Sequence, residues 1–273
     1  MRGPVRTVGR LARPVAQVGR RLSGERGLTI IGWHRVDGRC SDGLSTGVDD
    51  FRRNLDLLER WGATVLPLGR AVAALAAGTL PDRAVCLTFD DGYASVVETA
   101  WPILRAREMP ATLFVVSGYL SGDERFAWDR GEPRHDRHRL ARADELLSAT
   151  SEGLDIGSHT VSHPWLPRLA ADEVKRELVE SRVAIEELLG RPVDSLAYPT
   201  GGWTPLVRSA AAEAGYRIGV TVDRGLNTAR TPHLSLRRSF APTDPVDLRL
   251  VLDGGYTVLR PLDTWRHRRG PAW

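Results

Sequence analysis

The chain is expected to be an α/β protein, a distorted (β/α) barrel of about seven parallel strands. Two observations point there. Short apolar runs of β type alternate with segments whose apolar residues recur at helical spacing, the pattern of right-handed βαβ units. The chemistry-bearing residues Asp90, Asp91 and His159, with His34, Tyr198 and Pro199, stand just past the ends of such runs, where barrels of this class place their sites. No internal repeat, low-complexity segment or second domain is visible.

The elements read off in order. The apolar run Leu28–Trp33 opens the globular part, and a loop rich in Gly, Asp and Ser follows over 37–47. Phe51, Leu55, Leu58 and Trp61, spaced by four and three, mark a helix, and a second helix is expected at 69–77. Ala84–Phe89 is a strand, 94–107 a helix, and Thr112–Val116 a strand. Residues 117–141 read as a long charged loop, and loops of that length in a compact domain are usually functional or mobile. A short helix at 142–150 leads to a strand at Leu154–Gly157. The strongest helix spans 171–189, with Val174, Leu178, Ser181, Ile185 and Leu188 on one face and Gly190-Arg191-Pro192 as its stop. Strand Ser195–Tyr198, helix 204–214, strand Arg217–Val220, a strand near Leu234–Ser239 and a helix near 245–252 complete the pattern.

Composition sets bounds. The chain has 273 residues, 42% hydrophobic and 26% charged, as in ordinary globular proteins, and no apolar run approaches a membrane span. The net charge is +4, and Lys175 is the sole lysine. Basic residues crowd the ends: Arg2, Arg6, Arg10, Arg13, Arg20, Arg21 and Arg26 against Glu25, then Arg266-His267-Arg268-Arg269. The organisation expected is a basic arm over 1–27, one domain over 28–255 and a basic tail over 256–273. The arm reads either as a solvated tail or as a peripheral contact with an anionic membrane surface. It lacks the continuous apolar stretch of a secretory signal, so a location in the cytoplasm or at the inner membrane face is expected. Nucleic acid is not an expected partner, and oligomeric state is not legible. Of the two cysteines, Cys40 and Cys86, the second sits in a strand as a small hydrophobe, and two cysteines make no disulfide framework.

The most informative residues are Thr88-Phe89-Asp90-Asp91-Gly92. Two adjacent carboxylates at the end of a buried-type strand call for a metal or a proton. About seventy residues on, Ser158-His159-Thr160-Val161-Ser162-His163 offers a His-x3-His pair. An Asp with two His makes a three-ligand set for a divalent cation with a position left open, which suggests metal-assisted hydrolysis. Asp90 could also cap the following helix, without excluding chemistry.

These two motifs, followed by Ala197-Tyr198-Pro199-Thr200-Gly201, resemble in order and spacing the first three motifs of the polysaccharide deacetylases, the NodB-homology domain of carbohydrate esterase family 4. Pro110–Val115, Asp155–Thr160 and Ala214-Gly215-Tyr216 resemble it too, and the likeness covers roughly 28–240. It implies a hydrolase acting on linear amides. It also implies a divalent metal, zinc first, with cobalt, nickel, manganese or iron as alternatives. Carried over, Asp91, His159 and His163 are the metal ligands, Asp90 is the general base, and the backbone N–H of Thr200 is an oxyanion donor. Tyr198 is either a substrate-positioning residue or a core aromatic. Trp203 either lines a sugar groove or packs.

Two departures stand out. The family often has Arg where this chain has Ala197, and that Arg holds the base; Arg237 or Arg238 is expected to reach in from the final strand instead. The family's late histidine motif is also missing, and His267 in the basic tail is a poor substitute. Ile31-Gly32-Trp33-His34-Arg35-Val36 resembles the start of the permuted poly-N-acetylglucosamine deacetylases, whose early His is the acid. His34 is therefore the expected general acid. The substrate implied is an acetylated amino sugar, polymeric, oligomeric, or lipid- or nucleotide-linked, with the loops at 37–47 and 117–141 as rims. Removal of another acyl group, O-acetyl or formyl, and a non-catalytic sugar-binding barrel are the rivals.

Overall fold

In chain order the elements are β1 (Thr29–Trp33), α1 (Val48–Trp61), β2 (Thr64–Val65), α2 (Leu68–Ala77), β3 (Ala84–Phe89), α3 (Trp101–Arg105), β4 (Ala111–Val115), α4 (Ala143–Ser151), β5 (Asp155–Ser158), α5 (Ala171–Leu189), β6 (Ser195–Ala197), α6 (Pro205–Glu213), β7 (Ile218–Val220), β8 (Ser239–Phe240) and α7 (Pro245–Leu252). A two-residue ladder also joins Arg35–Val36 to Ser45–Thr46. The computed structural model describes Thr7, Leu11, Ala12 and residues 27–37, 43–121, 125–129 and 138–257. Most of the basic arm, Cys40, the 258–273 part of the tail with His267, and parts of the two expected rim loops (38–42, 122–124 and 130–137) lie outside the described residues.

The main sheet runs β8-β1-β3-β4-β5-β6-β7, with β2 beside the start of β3, and every pairing in it is parallel. The sheet curls. Leu236 forms a parallel bridge with Val220 of β7, and three residues later Ser239 pairs with Ile31 of β1. The stretch 236–240 thus spans from the last strand to the first, and the expected distorted barrel is what forms.

Period-two alternation divides the core. Ile31, Trp33, Val85, Leu87, Phe89, Leu113 and Val115 belong to the cluster packed by the surrounding helices, including Phe51, Leu55 and Leu58 of α1. Their neighbours Ile30, Cys86 and Phe114 join Ala197, Val220 and Leu236 in a second cluster, which Leu68, Val72 and Leu75 of α2 close. Cys86 is wholly buried there, and burial pushes its thiol pKa up, as suits a packing residue. The alternation also places Thr88 and, one step past the strand, Asp90 on the parity of Cys86.

Two expectations need correction, and one element went unread. The helix expected over 94–107 is a wide π-type turn at Val96–Ala100 followed by the short α3. Pro102 has no N–H to give to the carbonyl four residues back, so a regular α ladder cannot run through it. The strand expected near Leu234–Ser239 is a 3₁₀ turn at His233–Ser235, a single bridge at Leu236 and then β8. Strand β2, two residues long, is too short to show a period, and the sequence reading missed it.

Candidate active site

Past Phe89 the chain turns sharply. Asp91 and Gly92 both have positive φ, +73° and +79°, and a Cβ at Gly92 would meet Val115 at 3.3 Å. The turn leaves Asp90 over the barrel interior and swings Asp91 toward the end of β5. Asp90 N–H still bonds Trp33 O at 3.0 Å, and His159 N–H bonds Val115 O at 2.8 Å. Neighbouring strand ends are thereby held in register where the functional side chains emerge.

His159 and His163 come from one short loop in which Thr160 and His163 also take positive φ, +70° and +61°. Such backbone costs on the order of 1–3 kcal/mol per residue and must be held by its surroundings. Glu177 of α5 holds it. Its Oε2 accepts from Val161 N–H at 2.9 Å and Ser162 N–H at 3.0 Å, and Oε1 accepts from Ser162 Oγ at 2.7 Å. Thr160 Oγ1 accepts from His163 N–H at 3.1 Å. The sequence reading overlooked Glu177, because nothing in a helical period distinguishes it from a surface acid.

The three expected ligands converge. His159 Nε2 and His163 Nε2 stand 3.4 and 3.5 Å from Asp91 Oδ1, and one donor atom from each of the three residues lies within 4.8 Å of the others. His159 Nδ1 donates to Ala197 O at 2.7 Å, which orients the ring with Nε2 toward Asp91. His163 Nδ1 is buried without a hydrogen-bond partner. Burial, then the neighbouring His159, pushes the His163 pKa down to about 4, so this ring is neutral as a ligand must be. Burial opposes charge on His159, yet Asp90 and Asp91 raise its pKa overall. Burial likewise opposes charge on Asp91, but the His159 hydrogen bond and the nearby His34 and His163 hold its carboxyl well below the usual range. Two imidazoles and one carboxylate, converging with open space beside them, fit a borderline-soft divalent cation such as zinc.

Asp90 has a different partner. Arg238 Nη1 reaches its Oδ1 and Nη2 its Oδ2, both at 2.6 Å, in a bidentate pair buried on both sides. Arg238 also donates from Nη1 to Thr88 Oγ1 and from Nε to Thr221 O, each at 3.2 Å, and its guanidinium lies 5.0 Å from the Phe240 ring centre. Burial alone would raise the Asp90 pKa, but Arg238 and then His159 bring it below the ordinary value. Of the two arginines the sequence left open, the structure brings Arg238 to Asp90. Arg237 turns the other way, with Nη1 on Leu226 O at 2.8 Å.

A cavity of about 370 Å³ lies above these groups, lined by His34, Asp90, Asp91, His159, His163 and Thr200, together with Leu44, Trp128, Asp129, Val222 and Phe240. His34 stacks on Phe240 at 4.5 Å, and burial lowers its pKa against the pull of Asp91 and Asp90. Thr200 sits in the left-handed region at φ 50°. Two expected site residues stand elsewhere. Tyr198 is fully buried, donates to Leu234 O at 2.8 Å and packs in the core rather than on the cavity, since its ring follows the outward parity of β6. Trp203 is half-buried outside the cavity lining, with Nε1 3.4 Å from Asp223 Oδ2. Trp128 and Asp129 were missed; inside a charged, aperiodic loop their only signal is an aromatic beside an acid.

Comparison with known proteins identifies the family. A family model described as polysaccharide deacetylase matches residues 77–219. YxkH of Bacillus subtilis (strain 168) is 25% identical over 199 residues, 72% of this chain and 65% of that protein. The poly-beta-1,6-N-acetyl-D-glucosamine N-deacetylase of Escherichia coli (strain K12) is 29% identical over 138 residues, 49% of this chain and 20% of that protein. The chitooligosaccharide deacetylase of Bradyrhizobium sp. (strain ANU 289) is 29% identical over 135 residues, 49% of this chain and 53% of that protein. The chain therefore spans less than two thirds of the length of each of these relatives. Among solved structures, the deacetylase PplD of Streptococcus pyogenes, in complex with acetate, superposes with a TM-score of 0.72 at 24% identity, over 84% of this chain and 99% of that one. IcaB from Ammonifex degensii gives 0.71 at 23% identity, over 84% and 97%. At that identity the superpositions speak for the fold, and the matched model speaks for the family: the chain belongs to the polysaccharide deacetylases.

Proposed function

We propose that the chain is a metal-dependent hydrolase that removes N-acetyl groups from an amino sugar in a polysaccharide, an oligosaccharide or a lipid- or nucleotide-linked glycan. The observation that carries this reading is the convergence of Asp91, His159 and His163 beside a separate, arginine-clamped Asp90 at the floor of one cavity. Asp91, His159 and His163 would hold a divalent cation, with zinc the first choice. Bound there, the cation supplies Lewis acidity, polarising an acyl oxygen and lowering the pKa of water.

The residues do the rest. Asp90, kept ionised by Arg238, takes the proton of the attacking water. Thr200 lines the cavity, and its backbone N–H is the donor assigned to the negative charge that develops on the acyl oxygen. His34, which lines the same cavity as Asp90, protonates the leaving amine; amines leave poorly unless protonated, so an acid is needed.

The test is metal analysis combined with acetate release from chitin oligomers, poly-N-acetylglucosamine and UDP- or lipid-linked N-acetylhexosamines. About one metal per chain is expected, with release that chelation abolishes and zinc restores. Bound metal without acyl release from any N-acetylated substrate would overturn the N-deacetylase reading, and release from O-acetylated sugars alone would replace it with an esterase.

A further inference from the structure

Four side chains that the proposed reaction does not use are buried together beside the cavity. Arg35, Asp129, His138 and Tyr93 are each at most 2% exposed. Arg35 Nη1 donates to Asp129 Oδ1 at 2.6 Å and lies 2.7 Å from His138 Nδ1, which is itself 3.3 Å from Asp129 Oδ1. Arg35 Nε donates to Ser45 Oγ at 3.1 Å, and its guanidinium sits 4.8 Å from the Tyr93 ring centre. Tyr93 Oη donates to Asp129 Oδ2 at 2.7 Å. Burying an ion pair this completely is seldom a net gain for stability, so the cluster calls for another role.

Its output is one aromatic ring. Trp128 Nε1 donates to Tyr93 Oη at 3.2 Å, the atom that also bonds Asp129. The Trp128 ring lies flat on Phe126, with centres 4.3 Å apart and planes 10° apart, and its centre is 5.0 Å from that of His163. The ring is thus pinned from behind by Phe126 and along its N–H edge by Tyr93. It is nevertheless 39% exposed, and it lines the cavity. An immobilised, exposed aromatic surface beside polar and ionisable groups suits a ligand with one flat apolar face and polar edges. The ring hydrogens of a pyranose present such a face.

We infer that Trp128 is the stacking platform for the sugar ring that carries the acyl group, and that Tyr93 and Asp129, anchored by Arg35, are the positioning residues that fix its orientation. The inference rests on the proposed sugar substrate and deepens it. The 5.0 Å between Trp128 and His163 leaves no room for an intervening sugar, so the stacked ring is the reacting one. Trp128 then selects for pyranose rings and acts mainly on substrate affinity.

Calorimetric titration of N-acetylglucosamine trimer into Asp90→Asn, where loss of the proposed base is expected to stop turnover, provides the test. Adding Trp128→Ala is expected to weaken binding about tenfold or more, and Trp128→Phe to recover most of the loss. Tyr93→Phe, which keeps the packing but loses both hydrogen bonds, is expected to weaken binding severalfold. Leu206→Ala, at an exposed site on α6, is the control and is expected to change nothing. In the otherwise unaltered enzyme, Trp128→Ala should raise KM more than it lowers kcat. Equal affinity with and without Trp128, or no binding of the trimer to Asp90→Asn at all, would overturn the inference. Trp128-dependent binding in a protein that releases no acetate would keep the platform and discard the deacetylase reading.

Discussion

Arg238 and Asp90 lie 148 positions apart in sequence and meet through two parallel hydrogen bonds of 2.6 Å inside the barrel. Planar bidentate pairing fixes the carboxylate plane as well as its charge, which a lysine could not do. This chain has Ala197 at the position where the family often carries an arginine. Arg238 instead comes from the segment that closes the barrel between β7 and β1.

Replacing Arg238 by Met should therefore lower kcat about 10²-fold or more while leaving metal content intact. The pH profile carries the sharper sign. Arg238 and His159 hold the Asp90 pKa below its ordinary value, so the base form survives until pH falls through that depressed pKa. Without Arg238 the pKa rises, and the acid limb of kcat/KM should move to higher pH by about one unit or more. An unmoved limb would separate Asp90 from the role of base. Stability should fall too, because breaking a buried pair costs about 3–5 kcal/mol. The pair's contribution to stability is present above the unfolded-state carboxylate pKa and is lost as pH falls through the folded one.

His34→Ala should bind metal normally and lose about 10²–10⁴ in kcat on an unactivated amide. On an ester with a good alkoxide or phenoxide leaving group the loss should be much smaller. Comparing one variant on both substrates isolates the proton delivered to the leaving group. Near-parental turnover of the amide would remove His34 from that role.

Glu177→Ala should loosen the His159–His163 loop rather than abolish a chemical step. The expected readouts are a metal affinity lowered about 10–100-fold in chelator competition and faster hydrogen exchange at Val161 and Ser162, whose N–H groups Glu177 accepts. Glu177→Gln, which keeps an acceptor oxygen, should recover part of both. Unchanged exchange in the Ala variant would contradict the clamp.

His163→Ala should leave the barrel folded, because its ring lies at a loop end against Phe126 and Trp128 rather than in the strand core. Metal affinity should fall by at least about 10²-fold and acetate release with it. Retention of stoichiometric zinc at parental affinity would show that the cation sits elsewhere.

Much of this protein is legible in one dimension. The alternation of apolar runs with helical periods determined a parallel α/β barrel, because strands buried on both faces and helices buried on one leave different periods in a sequence. Local motifs determined which carboxylates and histidines to watch, since Asp90-Asp91 and His159-x3-His163 sit on single turns whose spacing needs no distant information. What tertiary structure alone decided is whatever depends on the closing of the barrel. It brought Arg238 rather than Arg237 onto Asp90, because neighbouring residues of an extended chain face opposite ways and only the pairing of Ser239 with Ile31 says which way is inward. It turned Tyr198 into the core and left Trp203 outside the cavity. It also assembled Arg35, Tyr93 and Asp129 behind Trp128. Those residues come from separate segments, and a buried hydrogen-bond network leaves no period by which a sequence could announce it.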